Sequence, residues 1–311
     1  MSVTDEMYYA PIALFVYNRP DHTRQTVEAL LANTLANQTP IHVFSDAPKD
    51  EAASLAVAEV RSYIRSIAGF KTVTIIERET NFGLAGSIID GVTRLCEDYG
   101  RVIVMEDDLI TSPIFLAYMN KALTLYEKED QVMQVSGHIY PVPEFTQREE
   151  ALFLPFVNSW GWGTWARAWK HFDSSAQGWD KIRSNSALRN RFNLDGHHDY
   201  STMLEQQMNG KVDSWAIRWY LSVFLRNGLV LFPSQSLVKN IGFDSGTHGS
   251  RTLRWTLSRQ IVSTRPIAFP RGIQIIGHDY HMVQKAIFRQ MGGQLGRFLR
   301  RVKGCFDSGT R

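Results

Sequence analysis

Three carboxylates stand side by side at Glu106, Asp107 and Asp108, directly after the apolar run Arg101–Met105 (RVIVM). Like charges this close raise one another's pKa unless a cation neutralises them. An all-oxygen ligand set suits a hard divalent cation such as Mg²⁺ or Mn²⁺, which keeps waters and substrate phosphates in its shell. A diphosphate leaving group needs such a cation to absorb the negative charge that develops as its bond breaks. The plainer alternative is a solvated acidic turn ahead of a helix starting near Pro113.

Other chemistry-bearing residues follow apolar runs in the same way. Arg19 sits in Tyr-Asn-Arg-Pro after Ala10–Tyr17, and a guanidinium there suits a phosphate. Asp46 follows Pro40–Ser45 and could equally form the turn before Pro48. Asn81, in Asn-Phe-Gly, has the makings of an ordinary turn. Asp213 opens the helix-like stretch Val212–Asn227, where a carboxylate serves either as a general base or as an N-cap.

The elements that must position these residues alternate. Strands are expected over 10–17, 40–45, 71–77, 101–105 and 131–136, with helices over 22–36, 51–67, 83–99 and 113–127 between and after them. Such βαβ repetition predicts an α/β fold with a mostly parallel sheet flanked by helices. Ligands in these sheets bind beyond the C-terminal strand ends. That rule places Arg19, Asp46, Asn81 and Glu106–Asp108 on one edge. After Pro143 the rhythm changes, with five tryptophans between 160 and 179, helices expected near 185–193, 201–209 and 212–227, a strand at 229–232 and a polar loop over 233–251. The expected division is an α/β half over 1–145, a second half of the same domain over 146–280, and a basic amphipathic tail over 281–311.

The chain has 311 residues, 44% of them hydrophobic and 21% charged, with a formal net charge of +3. That balance gives no reason to expect nucleic acid as a partner. The two cysteines, Cys96 and Cys305, lie far apart and fit a reducing cytoplasm. Neither a secretory leader nor a membrane-spanning run is expected.

The segment Val-Ile-Val-Met-Glu-Asp-Asp-Leu followed by Pro-x-Phe resembles the Glu-Asp-Asp signature of GT-A glycosyltransferases. It is especially similar to the N-acetylglucosaminyltransferase I-like group, and also to bacterial family-2-like polysaccharide transferases. The resemblance runs from about Pro11 to Gly249 and implies a GT-A (Rossmann-like) fold, with 1–145 as the nucleotide-sugar-binding half and 146–280 as the acceptor-binding and catalytic half. It implies that Asp108 coordinates the cation and that Glu106 and Asp107 contact the donor's ribose and sugar hydroxyls. It further implies that Arg19 pairs with the diphosphate, Asp46 accepts the uracil N–H, and Asn81 lies beside the base and ribose. Asn158–Gly163 resembles the glycine–tryptophan element that floors the acceptor side, whereas Trp165 and Trp169 are read as core. Val-Asp-Ser-Trp at 212–215 resembles the segment carrying the catalytic base, here Asp213, although one of the family's two acids is missing. Asn240–Gly249 resembles the loop that closes over the donor, which makes His248 a second cation ligand or a phosphate contact.

The implied reaction moves a hexose or N-acetylhexosamine from a UDP-sugar to a hydroxyl of a glycan or lipid-linked saccharide, with Mn²⁺ or Mg²⁺ and inversion at the anomeric centre. The rivals are a sugar nucleotidyltransferase and a non-catalytic carbohydrate-binding or scaffold protein. In the tail, Lys285, Arg289, Arg297, Arg300, Arg301 and Lys303 accompany Val283, Ile287, Met291, Leu295, Phe298 and Val302 at helical spacing. That pattern suits peripheral contact with an anionic membrane through 281–304, on the inner face of the cytoplasmic membrane. The same pattern also suits a helix packed on the protein body.

Overall fold

The computed structural model describes residues 8–242 and 262–290. Its first half is built from β1 (Ile12–Val16), α1 (Pro20–Leu31), β2 (Pro40–Ser45), α2 (Glu51–Ile64), β3 (Thr72–Glu77), α3 (Gly83–Tyr99), β4 (Arg101–Glu106), β5 (Leu109–Thr111), α4 (Phe115–Leu125) and β6 (Val132–Ser136). β1 and β4 are buried along nearly their whole length, as strands covered on both faces must be. The edge strand β3 instead alternates exposed and half-buried residues at its start. Pro20 opens α1, where its missing N–H costs nothing. Asp50 caps α2 by accepting from the Ala53 amide at 3.0 Å. α3 ends at Gly100, whose φ of +75° lets the chain turn straight into β4.

The second half adds β7 (Leu152–Leu154), β8 (Trp162–Trp165), α5 (Ala166–Trp169), α6 (Trp179–Ser184), α7 (Ser186–Phe192), α8 (Tyr200–Met208), α9 (Trp215–Leu225), β9 (Leu229–Phe232), β10 (Val238–Asn240) and α10 (Gly277–Gln290). Eight strands form one sheet in the order β3-β2-β1-β4-β8-β6-β9-β7. β3, β2, β1 and β4 are mutually parallel, and β6 pairs parallel with β9. β8 runs antiparallel between β4 and β6, so the sheet crosses from one half of the chain to the other without a break. The expected mostly parallel sheet is therefore present, with antiparallel β8 and β7 added.

A separate antiparallel ribbon joins β5 to β10, with Leu109 opposite Asn240. Both strands are three residues long, too short for periodicity to reveal, and β10 lies in the stretch read as a polar loop.

Two hydrophobic clusters hold the fold. The larger contains β1, β2 and β4 with the inner faces of α1, α3 and α4. The smaller includes Phe156, Phe192, Tyr220, Phe224 and Phe232, and α10 closes it with Val283, Ala286 and Ile287. Val283 and Ile287, expected on a membrane-facing stripe, are thus core residues, while Lys285 and Arg289 are exposed. The rest of that stripe, from Met291 onward, lies outside the described residues. No helix among the described residues is long and apolar enough to cross a membrane. Cys96 is buried in α3, and burial pushes its thiol up to about 12, so it is a packing residue.

Candidate active site

The acidic triplet emerges where β4 ends, with Glu106 in register with Phe15 of β1. Past β1 the chain continues through Tyr17 and Arg19 into α1. Thr23 pins that turn by donating its amide and its hydroxyl to the Arg19 carbonyl, each at 2.9 Å. The Arg19 side chain is then free to lean across to the neighbouring strand end. Its Nη2 bonds Asp107 Oδ1, and its Nη1 lies 3.1 Å from Asp108 Oδ2. The Tyr17 amide adds a long contact of 3.4 Å to Asp107 Oδ2.

The triplet's backbone is equally fixed. Thr26 of α1 donates its hydroxyl to the Asp107 carbonyl at 2.9 Å and accepts from the Leu109 amide at 3.2 Å. From the other side, the Ile241 amide donates to the Asp108 carbonyl at 2.9 Å. Gly242 follows, held by its amide on Asn240 Oδ1 at 2.8 Å. The β5–β10 ribbon thereby lays residues 240–242 beside Asp108.

Burial pushes the Glu106 carboxyl up to about 8, and the charges of Asp108 and Asp107 add to this while Arg19 opposes it. Asp107 is pushed up to about 6 by burial, against the lowering effect of Arg19. Burial works against the Arg19 charge, but Asp107 and Asp108 together hold the guanidinium above its ordinary value. The site is an electrostatically unfinished one, with three acids and one base.

These residues fit a divalent cation. Asp107 and Asp108 present hard oxygen donors to one point, now taken by the guanidinium. The missing side chain of Gly242 leaves free the space over Asp108 Oδ2 that a β-carbon would fill. Among the described residues, however, no group of three or more His, Cys, Asp or Glu converges on one point. Further ligands would have to come from substrate and water.

Asp46 and Asn81 meet one strand over. Asp46 Oδ1 accepts from the amides of Ala47 and Phe82, each at 2.9 Å, and Asn81 Nδ2 donates to the Ala47 carbonyl at 2.6 Å. Asp46 therefore ties the end of β2 to the start of α3. Phe82 is 47% exposed and packs one face on the Arg78 guanidinium at 4.0 Å.

Asp213 stands just before α9, in the second half of the chain. Trp215 of α9 stacks on Trp162 with ring centroids 5.0 Å apart, and Trp162 pairs in register with Val104, two residues before Glu106. The start of α9 thus lies over the end of β4. The N-cap is Ser214, which accepts from the Ile217 amide, so the capping role considered for Asp213 is taken by its neighbour. Asp213 Oδ1 instead binds Arg218 Nη2 at 2.7 Å, with its side chain 69% exposed.

In the glycine–tryptophan element, Trp162 is fully buried and joins Trp165 and Trp169 in the core. Only Trp160 keeps a partly open face, 4.4 Å between ring centroids from the buried His138. His138 and Thr26 escaped the sequence reading, whereas Asn240 and Gly242 begin the stretch that resembles a loop closing over the donor. His248 lies outside the described residues.

Paired aspartates and a guanidinium thus stand beyond the C-terminal ends of parallel strands, where sheets of this kind bind their ligands. The chain matches the model of glycosyl transferase family 2 over residues 12–195. It belongs to that family. No individually curated protein matches it.

Several solved structures are similar at long range. A mannosyltransferase, PcManGT from Pyrobaculum calidifontis in complex with GDP-Man and Mn²⁺, is 14% identical over 51% of this chain and 46% of its own, with a TM-score of 0.37. TarS 1–349 from S. aureus is 11% identical over 73% of this chain and 59% of its own, at 0.40. The galactosyltransferase LgtC with donor and acceptor sugar analogs is 10% identical over 88% and 95%, at 0.37. The chain spans about half the length of the first two.

Proposed function

We propose that the protein transfers a hexosyl or N-acetylhexosaminyl group from a UDP-sugar to a hydroxyl of a glycan or lipid-linked saccharide in surface polysaccharide synthesis. The observation that carries this reading is the convergence of Arg19 on Asp107 and Asp108 at the end of β4. Residues 1–145 would hold the donor and 146–280 the acceptor. Asp46 and Asn81 would face the base and ribose, and Glu106 and Asp107 the ribose and sugar hydroxyls. A divalent cation, Mn²⁺ or Mg²⁺, held by Asp108 and by His248 or the diphosphate, would neutralise the leaving group.

Asp213 would take the proton from the acceptor hydroxyl as that oxygen attacks the anomeric carbon and the bond to the diphosphate breaks. Its Oδ1 is engaged by Arg218, and among the described residues its Oδ2 has no hydrogen-bond partner. One displacement by one base gives inversion. Arg19 would stabilise the departing diphosphate. A cytoplasmic protein with peripheral contact to an anionic membrane through 281–304 would draw that contact from the exposed Lys285 and Arg289 together with Arg297, Arg300, Arg301 and Lys303, since Val283 and Ile287 are core.

Thermal shift with a panel of nucleotide sugars, with and without Mn²⁺ or Mg²⁺, tests the reading. A ligand at ~100-fold its Kd stabilises the native state by about 2.7 kcal/mol. UDP-sugars should raise the melting temperature only with the cation, and Asp108→Asn should abolish the effect. No shift with any nucleotide would overturn the donor-site assignment and favour a glycan-binding or scaffold role.

A further inference from the structure

We propose that Arg19 is the resident counter-ion of Asp107 and Asp108, and that a divalent cation gains Asp108 only when a diphosphate draws the guanidinium away. This rests on the donor-site reading above and adds an order of events to it. The cation does not load the site first. It enters with the nucleotide.

The geometry carries the idea. Both terminal nitrogens of Arg19 are spent, one on each aspartate. The two carboxylates are nearly sealed, with side chains 4% and 13% exposed, while Arg19 is 34% exposed on the solvent side. Around Asp108 Oδ2 the remaining room is bounded by the Gly242 backbone. A β-carbon built on Gly242 would lie 2.1 Å from that oxygen and 3.0 Å from Arg19 Nη1. A cation approaching Oδ2 therefore meets a guanidinium already in place.

Neither exchange is favourable alone. Removing the guanidinium with nothing in return strands two buried negative charges, and adding a cation beside it places two like charges together. A diphosphate resolves both at once. Its oxygens match the planar fork of Arg19 bidentately, and they help complete the oxygen shell that Asp108 alone leaves short. Cation and diphosphate then bind cooperatively, each raising the affinity of the other by the same factor.

The test measures Mn²⁺ binding to the full chain by the loss of the free aqueous Mn²⁺ paramagnetic resonance signal, with no nucleotide present. Wild type is compared with Arg19→Gln, Arg19→Lys and the double variant Arg19→Gln/Asp108→Asn. Arg19→Gln should bind Mn²⁺ alone at least ~10-fold more tightly than wild type, and the gain should vanish in the double variant. Arg19→Lys keeps the charge without the fork and should fall between; it carries the comparison if Arg19→Gln folds only with cation present. In wild type, UDP affinity should rise ~10-fold or more when Mn²⁺ is added. Wild type binding Mn²⁺ alone as tightly as Arg19→Gln overturns the proposal, and so does a gain that survives loss of the Asp108 charge. Failure of the donor-site reading is distinct: wild type would then bind no nucleotide under any cation, whatever its affinity for Mn²⁺.

Discussion

Gly242 runs so close to Asp108 that a β-carbon at the glycine would stand 2.1 Å from the carboxylate Oδ2. The two residues are brought together by the β5–β10 ribbon and by the Ile241 amide on the Asp108 carbonyl. Glycine at 242 is therefore a steric requirement of the acidic strand end.

Replacing Gly242 with alanine should push the Asp108 carboxylate off its present position. Overpacking of this kind costs about 1–3 kcal/mol. Cation-dependent UDP affinity, read by calorimetry in Mn²⁺, is expected to fall ~10-fold or more. An affinity within twofold of wild type would show that Asp108 does not need this place.

Glu106 gives the ligand-free protein a pH signature. Its carboxyl is pushed from 4.5 up to about 8, so between those values the native chain keeps a proton that the unfolded chain has released. Stability therefore falls as pH rises through that window. Asp107, pushed from 3.8 up to about 6, adds to the loss at the acidic end. Glu106→Gln has no proton to lose. Urea unfolding at pH 5, 6.5 and 8 should show a shallower decline in the variant, by up to about 1.4 kcal/mol per pH unit. Parallel slopes in the two proteins would mean that Glu106 ionises normally.

Asp213→Asn separates catalysis from packing. The side chain is 69% exposed, and Arg218 keeps its contacts to the carbonyls of Ser214 and Ser174 when the charge is lost. The melting temperature should fall only modestly, because the carboxylate is exposed and the buried Arg218 guanidinium keeps its carbonyl partners. Turnover should drop by about 10²–10⁴ with UDP affinity unchanged. Turnover retained within threefold would reduce Asp213 to a partner of Arg218.

Much of the first half was legible before folding. β2 and α3 begin and end where turn signals and periodicity place them, at 40–45 and 83–99. Both are bounded by residues that act locally, among them Pro48 and Gly83. The acidic triplet at a strand end was legible for the same reason, because a buried strand is a continuous apolar run. The tryptophans were harder. Trp160 and Trp162 differ by two positions and share a motif, yet one stays half-buried beside His138 and the other fills the core. Strand β8 turns Trp162 inward against Trp215 and Trp219, which no local signal announces.

By itself, then, the amino-acid order determined the βαβ framework, the edge on which Arg19, Asp46, Asn81 and Glu106–Asp108 gather, and the chemistry available there. These follow from period, turn residues and charge, all short-range properties. Tertiary structure alone decided that Arg19 would rest on an aspartate 89 positions away, that Gly242 would cover it, and that Val283 and Ile287 would be spent on the core. Such contacts depend on how strands order themselves and helices pack, and packing joins residues by shape and burial rather than by distance along the chain.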